Sequence, residues 1–189
     1  MSELETLIFD ESAELVATAA TRFADAVRRA QDARGTAVVA LTGGSNGIAL
    51  LRALAADPAT VDWSRVEVYW GDERFVPAAD AERNEGQARE ALFDVIGAEP
   101  ARIHPMPASD GEYGDDIEAA ARAYAELVGP DRVFDVHLLG MGGEGHVNSL
   151  FPHTAATAEE TAAVVAVEDS PKPPPRRITL TFPVINRSR

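Results

Sequence analysis

Apolar and polar positions along the chain predict short strands interleaved with amphipathic helices. Residues 36–41 (TAVVAL) form a continuous apolar run, which is typical of a strand covered on both faces of a parallel sheet. Before it, small and apolar side chains recur every three or four positions between residues 16 and 30, which predicts a helix with one buried face. We expect Asp10 or Ser12 to cap this helix and Gly35 to follow its end.

The rest of the chain continues the alternation. Further strands or extended segments are predicted at residues 4–9, 66–70, 103–107, 134–139, 162–167 and 177–180, and further helices at 48–54, 84–95, 117–128 and from Pro183. The proline-rich residues 170–176 (SPKPPPR) are expected to be irregular. Strands that alternate with helices predict an α/β fold with a mainly parallel sheet, whose ligands bind at the carboxyl ends of the strands. No shift in composition marks a second domain, so we predict a single domain over residues 1–189.

Composition excludes several classes of function. The 189 residues include no cysteine, which excludes disulfides, cysteine-based zinc sites and thiol nucleophiles. No apolar run reaches the roughly 18 residues of a membrane span, and the acidic N-terminus has no signal-peptide pattern. We therefore expect a cytoplasmic protein with no membrane partner.

The distribution of charge favours a small anionic ligand. The formal net charge is −14, so we expect no broad basic face and no nucleic-acid partner. Residues 170–189 nevertheless contain five Lys and Arg residues and no acid, a local charge of +5. Such a segment on an acidic chain suits an anionic ligand, although solubility and chance could also produce it.

Two loops that follow predicted strands carry candidate chemistry. Residues 42–47 (TGGSNG) join a strand to a helix, where backbone N–H groups can hold a phosphate or carboxylate, unless the glycines serve only a tight turn. The loop is not a Walker A sequence, because no Lys-Ser/Thr pair follows. Asp72, Glu73 and Arg74 follow the next strand. The Arg74 guanidinium can bind a phosphate or a developing oxyanion, or pair with its acidic neighbours.

A third loop, residues 140–146 (GMGGEGH), follows the predicted strand at 134–139. Four glycines within six residues allow positive φ angles and a close approach of backbone to a ligand. A histidine at the far end of such a turn is suited to acid–base chemistry near neutral pH. We therefore take His146 as the catalytic candidate and expect a helix to present it, whereas His137 is expected to be a structural histidine of the core.

Other types of site fit these residues less well. Residues 140–145 match the dinucleotide fingerprint G-x-G-x-x-G, but Pro152 interrupts the helix that should follow. His146 and His153 lack the H-E-x-x-H spacing of a zinc site, so we expect no metal and no cofactor. Ser149 is only three residues from His146 and no G-x-S-x-G occurs, so a serine triad is not indicated.

Taken in order, these motifs resemble the 6-phosphogluconolactonase family over essentially the whole chain, most of all its mycobacterial type. They are residues 41–45 (LTGGS), 70–77 (WGDERFVP) with Asn84, 138–146 (LLGMGGEGH), 149–152 (SLFP) and 177–183 (RITLTFP). Two departures stand out. Asn46-Gly47 replaces a frequent Thr-Pro, and Gly143-Glu144 replaces Pro-Asp while keeping the carboxylate.

The resemblance implies hydrolysis of 6-phospho-D-glucono-1,5-lactone, the second step of the oxidative pentose phosphate pathway. It also implies a Rossmann-like, doubly wound sheet with helices on both faces. On this basis we expect His146 to act as general base on a water that attacks the lactone carbonyl. A δ-lactone is already an activated ester, so no metal is required.

The remaining candidate residues take supporting roles in this hypothesis. We expect Arg74 or backbone N–H groups to stabilise the oxyanion, and Asp72 and Glu144 to orient His146 and Arg74 or to contact sugar hydroxyls. The phosphate is assigned to a set of backbone and cationic groups, namely Gly43, Gly44, Asn46, Arg177 and Arg176. The family continues beyond residues 177–183 with a strand, a glycine- and lysine-bearing loop and a helix. We therefore expect part of the phosphate pocket and one strand to be missing from the 189 residues.

Two rival functions remain open from the sequence. A glucosamine-6-phosphate deaminase needs a further carboxylate after its histidine, in a Glu-Pro-Gly sequence, where this chain has residues 149–153 (SLFPH). It also prefers tyrosine at the position of Arg74. A non-catalytic sugar-phosphate-binding regulator on the same fold would be favoured by a fused DNA-binding segment, which the sequence does not contain.

Overall fold

A four-stranded parallel sheet forms the centre of the structure, a computed structural model that describes residues 4–97 and 102–189. With strands numbered along the chain, it contains β1 (Ala37–Leu41), β2 (Val66–Trp70), β4 (Arg102–Ile103) and β5 (Val136–His137). They lie in the order β4-β2-β1-β5, and each neighbouring pair is parallel. The parallel sheet predicted from the apolar runs is confirmed.

Side chains of the parallel strands alternate between two hydrophobic cores. Val39 and Leu41 enter one core, whereas Ala40 enters the other. The first core is covered by α1 (Ser12–Arg34), α2 (Gly44–Ala56) and a continuous rod made of α3 (Asn84–Ala88), a wider π-helical turn (Arg89–Phe93) and α4 (Asp94–Ile96). The second core is covered by α5 (Ile117–Val128). Helices thus lie on both faces, as predicted.

A second, antiparallel sheet packs with α5 on the second core. It consists of β3 (Asp72–Arg74), β7 (Arg177–Leu180) and β6 (Val164–Val167), in the order β3-β7-β6. Gly71 connects the two sheets, because its N–H donates to Leu41 O at 2.9 Å and its carbonyl accepts from Leu180 N at 2.8 Å. Local sequence patterns predict β6 and β7 as strands but not their separate sheet, and residues 72–74 are a strand where a loop was predicted. The short helix α6 (Phe182–Ile185) follows β7, with Pro183 in its first turn as expected.

Some boundaries differ from the predictions. Residues 4–9 form no strand, and Leu4 and Ile8 are about 90% exposed, so they add no strand to either sheet. Helix α1 starts at Ser12 with Glu11 at its N-cap and no side-chain cap, so the prediction of Asp10 or Ser12 was wrong. Gly35 does end α1, with φ 83° and its N–H on Gln31 O at 2.8 Å.

The remaining elements are short. Single 3₁₀ turns occupy Pro58–Thr60 and Trp63–Arg65 before β2. The predicted strand at 134–139 pairs only at β5, and residues 170–176 are irregular, as expected. Within the two described ranges, none of the helices has the length and apolarity needed to span a bilayer.

Candidate active site

A cavity of about 250 Å³ opens where β1, β2 and β5 end, and residues of the three segments 42–47, 72–74 and 140–146 line it. This is the edge of the sheet at which α/β folds bind ligands. The residues lining it are Thr42, Gly43, Gly44, Ser45, Asn46, Gly47, Asp72, Arg74, Asn84, Gly140, Met141, Gly142, His146, Asn148, Lys172 and Arg177. The three segments that follow β1, β2 and β5 therefore meet at this edge of the sheet.

The first loop places the N-terminus of α2 at the cavity. Helix α2 begins at Gly44, and Gly43 is its N-cap with no side-chain hydrogen bond. Gly44 has φ 79°, which favours glycine. Gly43 has no room for a side chain, because a Cβ there would lie 2.0 Å from Oδ1 of Asn84. The helix dipole and free backbone N–H groups make this end suitable for an anionic group.

The antiparallel sheet places two arginines side by side. In the β3–β7 register Arg74 is opposite Arg177 and Asp72 is opposite Thr179. The Arg74 guanidinium donates to the carbonyl of Glu82 and lies 3.4 Å from its carboxylate. Like charges on opposed positions repel one another, so an anion in the cavity would relieve this arrangement.

Glu73, between Asp72 and Arg74, has a structural role. Its buried carboxylate accepts the backbone N–H groups of Arg74, Asn84 and Glu85 at 2.7–2.9 Å. Burial raises the pKa of this carboxyl, and Arg83 with the three N–H groups counters the rise. Glu73 therefore anchors the N-terminus of α3 and does not face the cavity.

Asp72 belongs to a buried polar cluster. Its Oδ2 accepts from Ser149 Oγ at 2.7 Å and lies 3.8 Å from Nη1 of Arg177. Asn84 Nδ2 donates to the Asp72 carbonyl at 2.9 Å. Among the described residues, Asp72 forms no hydrogen bond with His146, so this structure gives the expected orienting role of Asp72 no direct contact. The physical reason is that the Ser149 hydroxyl and the Arg177 guanidinium of β7 already hold the Asp72 carboxylate.

Glu144 is the carboxylate that contacts the histidine. Its Oε2 lies 3.1 Å from Nδ1 of His146 and 3.0 Å from Nζ of Lys172. The pKa of Glu144 is lowered, chiefly by the hydrogen bond from Lys172. Glu144 thus stays ionised at neutral pH and holds the imidazole from the side away from Nε2.

The glycine loop holds His146 in a narrow slot. Gly142 N–H donates to the His146 carbonyl at 2.9 Å, and Gly145 turns the chain with φ 85°. A Cβ on Gly142 would lie 2.0 Å from Cε1 of His146, so the ring packs on the backbone. The ring of Phe151 covers it with a centroid distance of 4.3 Å. His146 lies in a loop, whereas a helix was expected to present it.

The structure does not support a dinucleotide-binding site at residues 140–145. No helix follows residues 140–145 in the described chain before α6, so the fingerprint's helix N-terminus for a pyrophosphate is missing there. No group of three or more potential metal ligands occurs among the described residues. His137 is partly buried in β5, and burial lowers its pKa to about 4, in keeping with a structural role.

Arg177 faces the cavity but is mostly committed to the proline-rich segment. Its Nε donates to Pro174 O at 3.0 Å, and its Nη2 donates to the carbonyls of Lys172 at 3.1 Å and Pro173 at 3.3 Å. Burial lowers the pKa of this guanidinium, and Asp72 counters the effect. Arg177 thereby positions the segment that carries the Lys172 ammonium to the cavity.

The structure does not bring every predicted residue to the cavity. Gly43, Gly44 and Asn46 line it, and Asn46 also accepts from Ser12 Oγ at 3.0 Å. Arg176 lies elsewhere, because its guanidinium binds Asp115 and Glu168 and stacks on Phe75. The assignment of Arg176 to the phosphate was therefore wrong. In a β-strand neighbouring side chains point to opposite faces, which separates Arg176 from Arg177.

Three lining residues come from outside the segments 42–47, 72–74 and 140–146 and were not among the predicted site residues. Asn84 lies in a quoted motif, but only the structure shows its Oδ1 against Gly43. Lys172 lies in a segment read as irregular, and its charge within the local cationic patch was the available signal. Asn148 gave no signal in the sequence, because its position depends on a left-handed backbone with φ 49°.

Comparisons with known proteins agree with this geometry. Residues 10–189 match the family model described as glucosamine-6-phosphate isomerases/6-phosphogluconolactonase. A protein of Mycobacterium tuberculosis named 6-phosphogluconolactonase is 55% identical over 189 residues, covering 96% of this chain and 76% of the relative. A Streptomyces coelicolor protein of the same name is 48% identical and covers 100% of this chain and 77% of the relative. A crystal structure of a 6-phosphogluconolactonase from Shewanella baltica superposes with a TM-score of 0.84 at 32% identity, covering 96% of this chain and 76% of that one.

Proposed function

Because the chain belongs to the glucosamine-6-phosphate isomerase/6-phosphogluconolactonase family, we propose that it hydrolyses 6-phospho-D-glucono-1,5-lactone to 6-phospho-D-gluconate. The single observation that carries the proposal is the Glu144–His146 pair at a cavity lined by Arg74, Arg177 and Lys172. A general base beside several cations suits a neutral ester that carries a phosphate.

The first chemical step assigned to this site is attack of water on C1 of the lactone. A carboxylate only accepts hydrogen bonds, so Nδ1 of His146 donates to Glu144 and Nε2 is left as the free base. Nε2 takes one proton from the water as its oxygen bonds to C1, and the carbonyl oxygen gains the negative charge. Such general-base assistance contributes about 10²–10⁴ in rate.

The second step breaks the ring. When the tetrahedral intermediate collapses, the C1–O5 bond breaks and the protonated His146 returns its proton to O5, giving the open-chain acid. Arg74 or the backbone N–H groups of the glycine loops stabilise the oxyanion in between. Arg74 suits this role because it lines the cavity and its guanidinium has both a carbonyl and a carboxylate of Glu82 to hold it.

The phosphate of the substrate is assigned to the N-terminus of α2. Gly43 and Gly44 offer backbone N–H groups there, and Asn46 adds a side chain at the same wall of the cavity. Arg177 and Lys172 supply positive charge from the opposite segment. This arrangement keeps the four predicted phosphate-binding residues that line the cavity and replaces Arg176 by Lys172.

The proposal extends to the cellular setting. An enzyme with this activity takes part in the oxidative pentose phosphate pathway, whose intermediates are phosphorylated and water-soluble, and a cytoplasmic location is expected on that ground. The small phosphorylated lactone is its expected partner.

Lactone hydrolysis tests the proposal directly. The lactone is generated by oxidation of glucose 6-phosphate. Loss of the lactone is then followed with and without the protein, so that spontaneous hydrolysis is subtracted. We expect acceleration of lactone loss and no ammonia from glucosamine 6-phosphate. Unaccelerated lactone loss would refute the proposal, and ammonia release would instead identify the rival glucosamine-6-phosphate deaminase.

A further inference from the structure

Asn148 combines a left-handed backbone, a buried side chain and a position at the cavity. Its backbone is left-handed, with φ 49°, and its side chain lies within the protein, at 6% exposure of the residue. It is also one of the residues that line the cavity, close to the loop that carries His146. The ordered backbone bonds around it, such as Leu150 N to Val147 O at 2.9 Å, fix this conformation.

Neither amide atom of Asn148 has a hydrogen-bond partner among the described residues. A Cβ on Gly71 would lie 2.4 Å from Oδ1 of Asn148 and 2.9 Å from Nε2 of His137, which is itself without a bond in the described chain. The protein therefore packs the amide against the Gly71 backbone without satisfying it. Buried polar groups are nearly always paired, so a buried amide with both atoms free at a cavity wall indicates a missing partner.

We propose that Asn148 is a substrate-contacting residue that hydrogen-bonds a ring hydroxyl of the sugar lactone. A hydroxyl both donates and accepts, which matches the free NH₂ and carbonyl oxygen of one amide. The inference rests on the proposed function for the identity of the ligand. It adds a determinant of specificity on the wall between β2 and the His146 loop, away from the phosphate end at α2.

The left-handed backbone supplies a clean way to test the amide. Glycine adopts a φ of 49° without strain, so Asn148→Gly removes the amide and does not disturb the backbone. His153 is a matched control, because it has φ 65°, is exposed and does not line the cavity. His153→Gly relieves the same kind of backbone strain without removing a group from the site.

Hydrolysis is measured with 6-phosphogluconolactone and with the three monodeoxy lactones that each lack one ring hydroxyl. We expect Asn148→Gly to lower kcat/KM for the intact lactone about tenfold to a hundredfold, the effect of losing one or two hydrogen bonds. The loss should shrink markedly for the one analogue that lacks the contacted hydroxyl. His153→Gly should leave kcat/KM unchanged. Asn148→Asp, which keeps the acceptor and tolerates the left-handed backbone, should lose less than Asn148→Gly.

An equal loss with all four lactones, or no loss with the intact one, would overturn the inference. Binding of 6-phosphogluconate, measured by calorimetry, separates this outcome from failure of the proposed function, because it needs no turnover. If wild type hydrolysed no lactone, a tenfold weaker Kd in Asn148→Gly would still support the contact, and an unchanged Kd would refute it.

Discussion

One carboxylate oxygen of Glu144 lies 3.1 Å from Nδ1 of His146 and 3.0 Å from Nζ of Lys172. The hydrogen bond from Lys172 lowers the pKa of Glu144, so the carboxylate persists through the neutral range. Because it can only accept, it fixes the imidazole tautomer with the proton on Nδ1. Lys172 thus reaches both the cavity and the carboxylate that contacts His146.

Gly142 controls the placement of His146. A Cβ at this position would lie 2.0 Å from Cε1 of the ring, whereas a Cβ on Gly143 meets nothing within 4 Å. We expect Gly142→Ala to displace the imidazole and lower kcat at least tenfold, while the thermal unfolding temperature changes little. Gly143→Ala is the matched control and should keep wild-type kcat.

Steady-state kinetics on the two alanine variants decide this prediction. Equal kcat values for Gly142→Ala and Gly143→Ala would mean that the ring does not need the slot on the Gly142 backbone.

Among the elements, β7 determines the conformation of β3 and the position of its side chains. Its pairing with β3 turns residues 72–74 from a loop into a strand and sets Arg74 opposite Arg177. The same strand carries the guanidinium that binds the carbonyls of the proline-rich segment. Strand β7, which starts 105 residues after Asp72, therefore organises the cavity wall that begins at Asp72.

This dependence explains how much could be predicted from the sequence. The parallel strands and covering helices follow from local patterns, such as the apolar run at 36–41 that became β1. The location of the site loops at one edge of the sheet could be predicted because each loop directly follows a strand. Long-range pairing is not encoded in any local pattern, so the antiparallel sheet, the commitment of Asp72 to Ser149 and the outward side chain of Arg176 could not be predicted. The left-handed backbone of Asn148 falls in the same class.

Strand β5 carries a histidine that links stability to pH. Burial lowers the pKa of His137 to about 4 from its usual 6.5, so the unfolded chain takes up this proton first as the pH falls. The resulting loss of stability is absent above pH 6.5 and grows between pH 6.5 and 4, to about 3 kcal/mol at most.

We expect His137→Gln, which cannot titrate, to lose less unfolding free energy than wild type over that interval. Urea denaturation at a series of pH values measures the difference. Carboxylates and the partly buried His104 titrate in both proteins and cancel in the comparison. Parallel pH profiles for the two proteins would show that His137 is not the source of the effect.

At the scale of the whole molecule, one tyrosine ties a covering helix to the sheet. The hydroxyl of Tyr124 on α5 accepts from Trp70 N at 3.2 Å and donates to His104 O at 3.1 Å. It thereby joins α5 to the end of β2 and to the segment after β4, beneath the loops that form the cavity. Burial raises the pKa of Tyr124, so it remains a neutral hydroxyl that can both donate and accept.

Tyr124→Phe should lower the free energy of unfolding by about 1–3 kcal/mol, because two backbone groups lose their partner inside the core. Chemical denaturation measures the change. Tyr113→Phe is the control, since the Tyr113 hydroxyl forms no hydrogen bond among the described residues, and it should change stability by less than about 0.5 kcal/mol. Equal effects of the two substitutions would contradict the bridging role of Tyr124.

The proposed hydrolysis depends on His146 as the base that activates water at the cavity. The most direct measurement is kcat for 6-phosphogluconolactone hydrolysis by wild type and His146→Gln, with spontaneous hydrolysis subtracted and with the Kd for 6-phosphogluconate measured on both. We predict that kcat falls by about 10²–10⁴ while Kd changes by no more than a few-fold, because the base is lost and the phosphate end is intact. A kcat near that of wild type in His146→Gln would contradict the account.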